Sequence, residues 1–308
     1  MQEIIYLKKY IIDINCTRLQ FFFRKLIYTY KHIFNVITKR NINGFNVWIL
    51  PINETYNIKK INKLFRKLKN ENNIYILEKN LKTKEIYLTM NNCNINKYNN
   101  ENIKKLLLLK TINYIIKIRN IKLSEVEATI LVNYDTEINN YIIKKLATEL
   151  KCIKIVSSKI YKFKNIEKEL FDKYGIAVQF SNSNRKSLSK SKIIVNLDFD
   201  NISINEYNIN NKSIIINCTD NDINIKSKIF SGVVINSYRI KINNSLENKL
   251  NKINARGEYN LLELYGAQLI NMENILEKEK KVESDSVNII NLIGNNGVLS
   301  KKEFKENA

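Results

Sequence analysis

The side chains that could do chemistry are few. Asp198 and Asp200 close a β-branched run, KIIVNLDFD, that begins at Lys192, and Asp135 follows another, ATILVNYD, that begins at Ala128. Carboxylates at the ends of such runs could form an acidic cluster that holds Mg²⁺ or divides acid and base duties among its members. Helix caps and solvated turns use the same residue type, so no catalytic set follows from the aspartates alone. The four cysteines, Cys16, Cys93, Cys152 and Cys218, are far apart without a CxxC pair, and the single histidine is His32. A zinc or iron–sulfur centre therefore has no ligand set, and buried free thiols are expected. GxSxG, P-loop and HExxH patterns do not occur.

The elements that must position these residues are legible between 128 and 199. The run at 129–132 is followed by a polar turn, by an amphipathic stretch with Ile138, Tyr141, Ile142, Leu146 and Leu150 at helical spacing, and by a second run at 153–156. That order is strand, helix, parallel strand. A helix at 166–174, a strand IAVQF from Ile176 and the strand from Lys192 repeat it, and SIIIN from Ser213 and GVVIN from Gly232 add two more strands. Six strands beginning near 129, 152, 176, 192, 213 and 232 predict a doubly wound, mostly parallel α/β sheet with Ile130, Val132, Ile153, Ile155, Val178, Ile194 and Ile215 buried. Upstream, VWILPI from Val47 after the turn Asn43-Gly44, a helix at 58–68 and IYIL from Ile74 predict a smaller strand–helix–strand unit, with Pro51 at a strand end where a lost N–H is tolerable. Residues 91–103 read as a polar loop and 103–121 as one long helix. The expected domains are a basic N-terminal α/β unit at 1–120, a six-stranded unit with a closing helix drawn from 246–276 at 121–277, and a loosely held polar tail at 278–308.

In this order of parts the chain resembles the shikimate dehydrogenase and glutamyl-tRNA reductase group of Rossmann-like NAD(P)-binding proteins. The local likeness rests on Ser183-Asn184-Arg185-Lys186-Ser187-Leu188 and on Lys190-Ser191-Lys192-Ile193-Ile194-Val195, which match a turn and an "AD-I-V-I" type strand of that group. The resemblance implies a dinucleotide at the carboxyl edge of the sheet, contacted by Asn133, Tyr134, Asp135, Thr136, Ser157, Lys159 and Asp198. Yet the phosphate turn of such binders is glycine-rich, and here it reads Asn133-Tyr134-Asp135-Thr136-Glu137 without one glycine. A carboxylate about 5 Å from a phosphate charge costs roughly 3 kcal/mol at an effective dielectric near 20, about two orders of magnitude in affinity. Lys159, with no acidic residue at Ser157-Ser158-Lys159, would suit a 2′-phosphate, so NADP is the alternative cofactor and none is the leading expectation. A diverged, non-enzymatic protein is expected ahead of an NADP-dependent reductase.

The chain of 308 residues is 44% apolar and carries a formal charge of +21, with Ile, Asn and Lys over-used as in an AT-rich bacterial genome. Codon bias does not explain the asymmetry: residues 1–120 hold 23 Lys and Arg against 7 Asp and Glu, whereas 121–308 hold 28 against 23. The front half could adhere weakly to polyanions, nucleic acid or anionic membrane, with Tyr6, Tyr10, Phe21, Tyr28 and Tyr30 interleaved among its charges. Within it, residues 18–39 form an amphipathic basic helix that is expected to dock its apolar side on its own domain, the alternative being a membrane surface. No signal pattern and no apolar run of about 18 residues is seen, so a reduced, cytoplasmic protein is expected.

Overall fold

Short β-branched runs separated by 3.6-period segments fold as their pattern dictates. The structure, a computed structural model, describes residues 2–9, 18–42, 44–52, 58–69, 72–182, 184–254 and 257–306. Tyr10, Cys16, Asn43 and Ser183, all named above, lie outside them. The chain divides into two compact units, one of Met1–Tyr98 with Asn244–Asn271, the other of Asn99–Asn243 with Met272–Ala308.

The first unit begins with β1 (Glu3–Lys9), α1 (Arg18–Phe34), β2 (Thr38–Ile42), β3 (Phe45–Leu50), α2 (Ile58–Leu68), β4 (Asn73–Leu77) and α3 (Lys84–Asn92). Its sheet has the order β2-β3-β1-β4, with β1 parallel to both neighbours and β2 antiparallel to β3. Local pattern does not mark the central strand β1. Its EIIYLKK carries one short apolar stretch between charges, which becomes a strand because β3 and β4 flank it and bury Ile5, Tyr6 and Leu7.

The second unit opens with α4 (Glu101–Leu106) and α5 (Leu108–Arg119), two helices broken at Leu107 where one was expected. A single apolar stripe runs through both, so the break leaves no trace in the periodicity. Then come β5 (Glu127–Leu131), α6 (Glu137–Glu149), β6 (Cys152–Ser157), α7 (Lys164–Tyr174), β7 (Gln179–Asn182), β8 (Ile193–Asn196), α8 (Asn201–Ile204), β9 (Ile214–Asn217), β10 (Val233–Ile235) and β11 (Ser237–Lys241). The strands order as β10-β9-β8-β5-β6-β7, every pair parallel. This is the doubly wound Rossmann order, crossing over between β5 and β8. Ile130, Leu131, Ile155, Ile194, Val195 and Ile215 are fully buried, as a parallel sheet covered on both faces requires. Val178 is a correction: it is only half-buried, because α7 ends at Gly175 (φ 66°) and the chain reaches the edge strand β7 only at Gln179.

The last part departs most from the expected domains. Helices α9 (Asn244–Asn251) and α10 (Leu261–Gln268) belong to the first unit, where Tyr259 packs edge-on against Tyr6 at 5.9 Å and Glu263 pairs with Lys82. These contacts span some 180 to 250 positions of sequence, beyond any local pattern. The expected tail is built: after α11 (Ile275–Ser284), β12 (Asn288–Gly294) pairs antiparallel with β11 and with β13 (Gly297–Val298), and α12 (Lys301–Glu306) follows.

Candidate functional site

In this topology a ligand is received at the carboxyl edge where the strand order reverses, here between β5 and β8. Asn133 and Tyr134 lie just past β5, and Asp198 lies two residues past β8. The Asp198 carboxylate accepts the Asn133 N–H at 2.7 Å on Oδ1 and the Tyr134 N–H at 2.9 Å on Oδ2. Its Oδ2 also accepts from Nδ2 of the buried Asn139 at 3.2 Å, and that amide donates to the Tyr134 carbonyl at 2.8 Å. Successive N–H groups after a strand make an anion-binding concavity, and the anion in this one is the chain's own. Burial pushes the Asp198 carboxyl above the ordinary aspartate range, opposed by the two N–H donations and by the charge of Lys105.

The other expected residues divide in two. Asn133 Oδ1 accepts from Ser158 N–H at 2.9 Å, Ser158 Oγ at 2.8 Å and Ser157 Oγ at 3.3 Å, and Ser157 Oγ accepts the Lys159 N–H at 2.9 Å. The Lys159 ammonium stands 5.6 Å from the exposed Tyr134 ring, a cation–π distance. Asn133, Tyr134, Ser157, Lys159 and Asp198 thus form one connected set that ties β6 to β5 and β5 to β8. Thr136 and Asp135 instead serve the start of α6, Thr136 accepting the Asn139 N–H at 3.3 Å and Asp135 accepting Asn140 Nδ2 at 2.6 Å.

The acidic cluster of Asp135, Asp198 and Asp200 does not form. Asp200 caps α8 through the Ser203 N–H at 2.6 Å, and that bond holds its carboxyl below the usual range. No group of three His, Cys, Asp or Glu side chains able to hold a metal occurs among the described residues. The thiols are a second correction, since Cys152 at the start of β6 is exposed while Cys93 and Cys218 are buried. Burial pushes the Cys218 thiol up to about 11, which keeps it protonated and unreactive at neutral pH.

Sequence reasoning missed the asparagines. Asn196 and Asn217 are register partners that end β8 and β9, and Asn236 directly follows β10. Asn196 Nδ2 donates to Asn217 Oδ1 at 3.0 Å, and Asn217 Nδ2 donates to Asn236 Oδ1 at 3.0 Å. Asn236 Nδ2 continues to Asn295 Oδ1 at 2.6 Å. Asn196 Oδ1 also accepts the Phe199 N–H at 2.9 Å and so shapes the turn that presents Asp198. The signal was in the sequence: ILVN, IIVN, IIIN and VVIN recur at four strand ends, Asn196 and Asn217 closing β8 and β9, Asn236 standing one residue past β10 and Asn133 two past β5. Buried Lys104 adds to this edge, donating to the Thr219 carbonyl at 2.7 Å, with burial lowering its pKa against the nearby Cys218, Asp220, Asp222 and Glu101.

Two N–H groups of the turn after β5 are taken by the Asp198 carboxylate, and the turn around them is built from side chains bonded to one another. Chemically the edge offers neutral amides, hydroxyls, the ammonium groups of Lys104 and Lys159, and the Asp198 carboxylate, whose two oxygens are both engaged.

No family model matches the chain, and no curated protein matches it. Among solved structures it is similar to L-tryptophan dehydrogenase from Nostoc punctiforme, at 11% identity over 91% of this chain and 78% of that one with a TM-score of 0.35. A dipicolinate synthase chain from Bacillus halodurans is 7% identical over 70% and 81%, with a TM-score of 0.35. Quinate dehydrogenase from Corynebacterium glutamicum, solved with NAD, is 8% identical over 70% and 79%, with a TM-score of 0.27. At these values the neighbours assign no activity; the Rossmann-like fold of the second unit stands on its strand order and all-parallel register.

Proposed function

We propose that this Rossmann-like chain has given the cofactor position of its fold to its own side chains and performs no dinucleotide-dependent chemistry. The observation that carries the reading is Asp198, whose carboxylate holds the N–H groups of Asn133 and Tyr134 at 2.7 and 2.9 Å. A pyrophosphate would have to displace it and then lie beside its charge, against a penalty of roughly 3 kcal/mol at about 5 Å. Lys159 would suit a 2′-phosphate, but a half-buried lysine whose ammonium already stands 5.6 Å from the Tyr134 ring offsets no more than about 1 kcal/mol.

Titration calorimetry of the full chain with NAD(H) and NADP(H) tests this. Dissociation constants of about 0.1 mM or weaker are expected, two orders above an ordinary micromolar site. A low-micromolar constant for either cofactor overturns the reading. In the Asp198→Ala chain affinity should rise; if it stays the same, the carboxylate is not the obstacle.

A second reading, salt-sensitive adhesion to polyanions through residues 1–120, draws support from the excess of 23 basic over 7 acidic residues there.

A further inference from the structure

Helix α1 contradicts the expectation that it docks by its apolar side. Phe22, Phe23, Leu26, Tyr30, Ile33 and Phe34 are each half exposed or more. At about 100° per residue they share an outward arc about 140° wide that also contains Ile27 and no charged residue. The helix is held by its other side and its end. Lys31 Nζ donates to Thr38 Oγ1 at 2.8 Å, Lys60 Nζ donates to the His32 carbonyl, and Lys67 Nζ donates to the Asn35 carbonyl at 3.2 Å. Arg24, Tyr28, Lys31 and His32, on the side away from the arc, are partly buried, and the apolar arc faces out, the reverse of a helix that closes a core.

Charge decides what covers this face. Between positions 14 and 53 there are six Lys and Arg and no Asp or Glu. Lys25 lies beyond one border of the apolar arc, and Lys31 and Arg24 beyond the other. Two copies meeting face to face would bring these cations together. A nucleic acid would want them across the contact, among the rings, and the arc has none there. A lipid surface takes apolar side chains below the headgroups while the flanking cations meet anionic phosphates. We infer that α1 is an interfacial anchor that seats this protein on an anionic lipid surface. No described helix is long and apolar enough to cross a membrane, so the contact is one of lying on the surface. The inference uses the first unit alone and stands apart from the cofactor reading of the second.

The test is flotation of the full chain with vesicles of phosphatidylcholine alone and of phosphatidylcholine mixed with phosphatidylglycerol. Binding to the mixed vesicles, weakening as salt rises, is expected. The double variant Leu26→Glu/Ile33→Glu should lower partitioning by about a hundredfold, since two buried aliphatic side chains are lost from the interface. Lys25→Glu should lower it by at least about fivefold through charge alone. All three positions are exposed, and thermal melting of the variants should match the parent. Equal partitioning of parent and double variant overturns the proposal. So does a parent that fails to float but is dimeric by light scattering, or one that binds a single-stranded RNA and no vesicle.

Discussion

Asp198 shows how one side chain can settle the use of a sheet edge. Its two oxygens accept three donors, from Asn133, Tyr134 and Asn139. Asp198→Ala leaves them to water or to nothing and should lower stability by about 1–3 kcal/mol. Asp198→Asn should do no better, because its Nδ2 would face a donor whichever way the amide turns. Urea denaturation of the two variants checks this, and an Asn variant as stable as the parent would mean that the carboxylate does not hold both N–H groups.

Elements place such groups at their ends. The smaller sheet offers a second case at the end of β4, where Glu78 accepts the Lys9 N–H at 2.9 Å and keeps its other oxygen buried without a partner. Burial, with the charge of Glu258 adding to it, pushes the Glu78 carboxyl up to about 6, against the Lys9 N–H and the charges of Lys8 and Lys9. The folded value lies above the unfolded 4.5, so the folded state holds the proton more tightly. The contribution is full below about pH 4.5 and is lost as pH rises through about 6, amounting to roughly 2 kcal/mol. Glu78→Gln keeps a neutral acceptor for the Lys9 N–H and should flatten that part of the profile. Urea midpoints of parent and variant at about pH 4.5 and pH 7.5 measure it, and parallel profiles would remove Glu78 as the cause.

At the scale of the whole molecule the C-terminal segment completes the second unit. Lys110 donates to the Val287 carbonyl at 2.6 Å, Tyr114 to that of Ile290 at 3.0 Å and Arg119 Nε to that of Phe304 at 3.1 Å. Leu292 and Phe304 are buried to within 1%. A chain ending at Ser286 loses both side chains and all three acceptors, and should lose at least about 4 kcal/mol or fail to fold. An unchanged urea midpoint would return these residues to the status of a loose tail.

Local pattern was enough for the Rossmann-like sheet. The stretches 193–195 and 214–216 are unbroken β-branched runs, and a parallel strand buried on both faces is the one setting that asks for them. The turn at 133–137 was also readable, since absent glycines are a local fact. Three things were not local. Asp198 meets Asn133 across 65 positions, a distance at which no spacing rule operates. The asparagines that end the strands form a chain only because β8, β9 and β10 lie side by side in register. The outward turn of α1 was hidden for a different reason: periodicity reports that a helix has an apolar side, and only the contacts around it decide whether that side meets a core or the solvent.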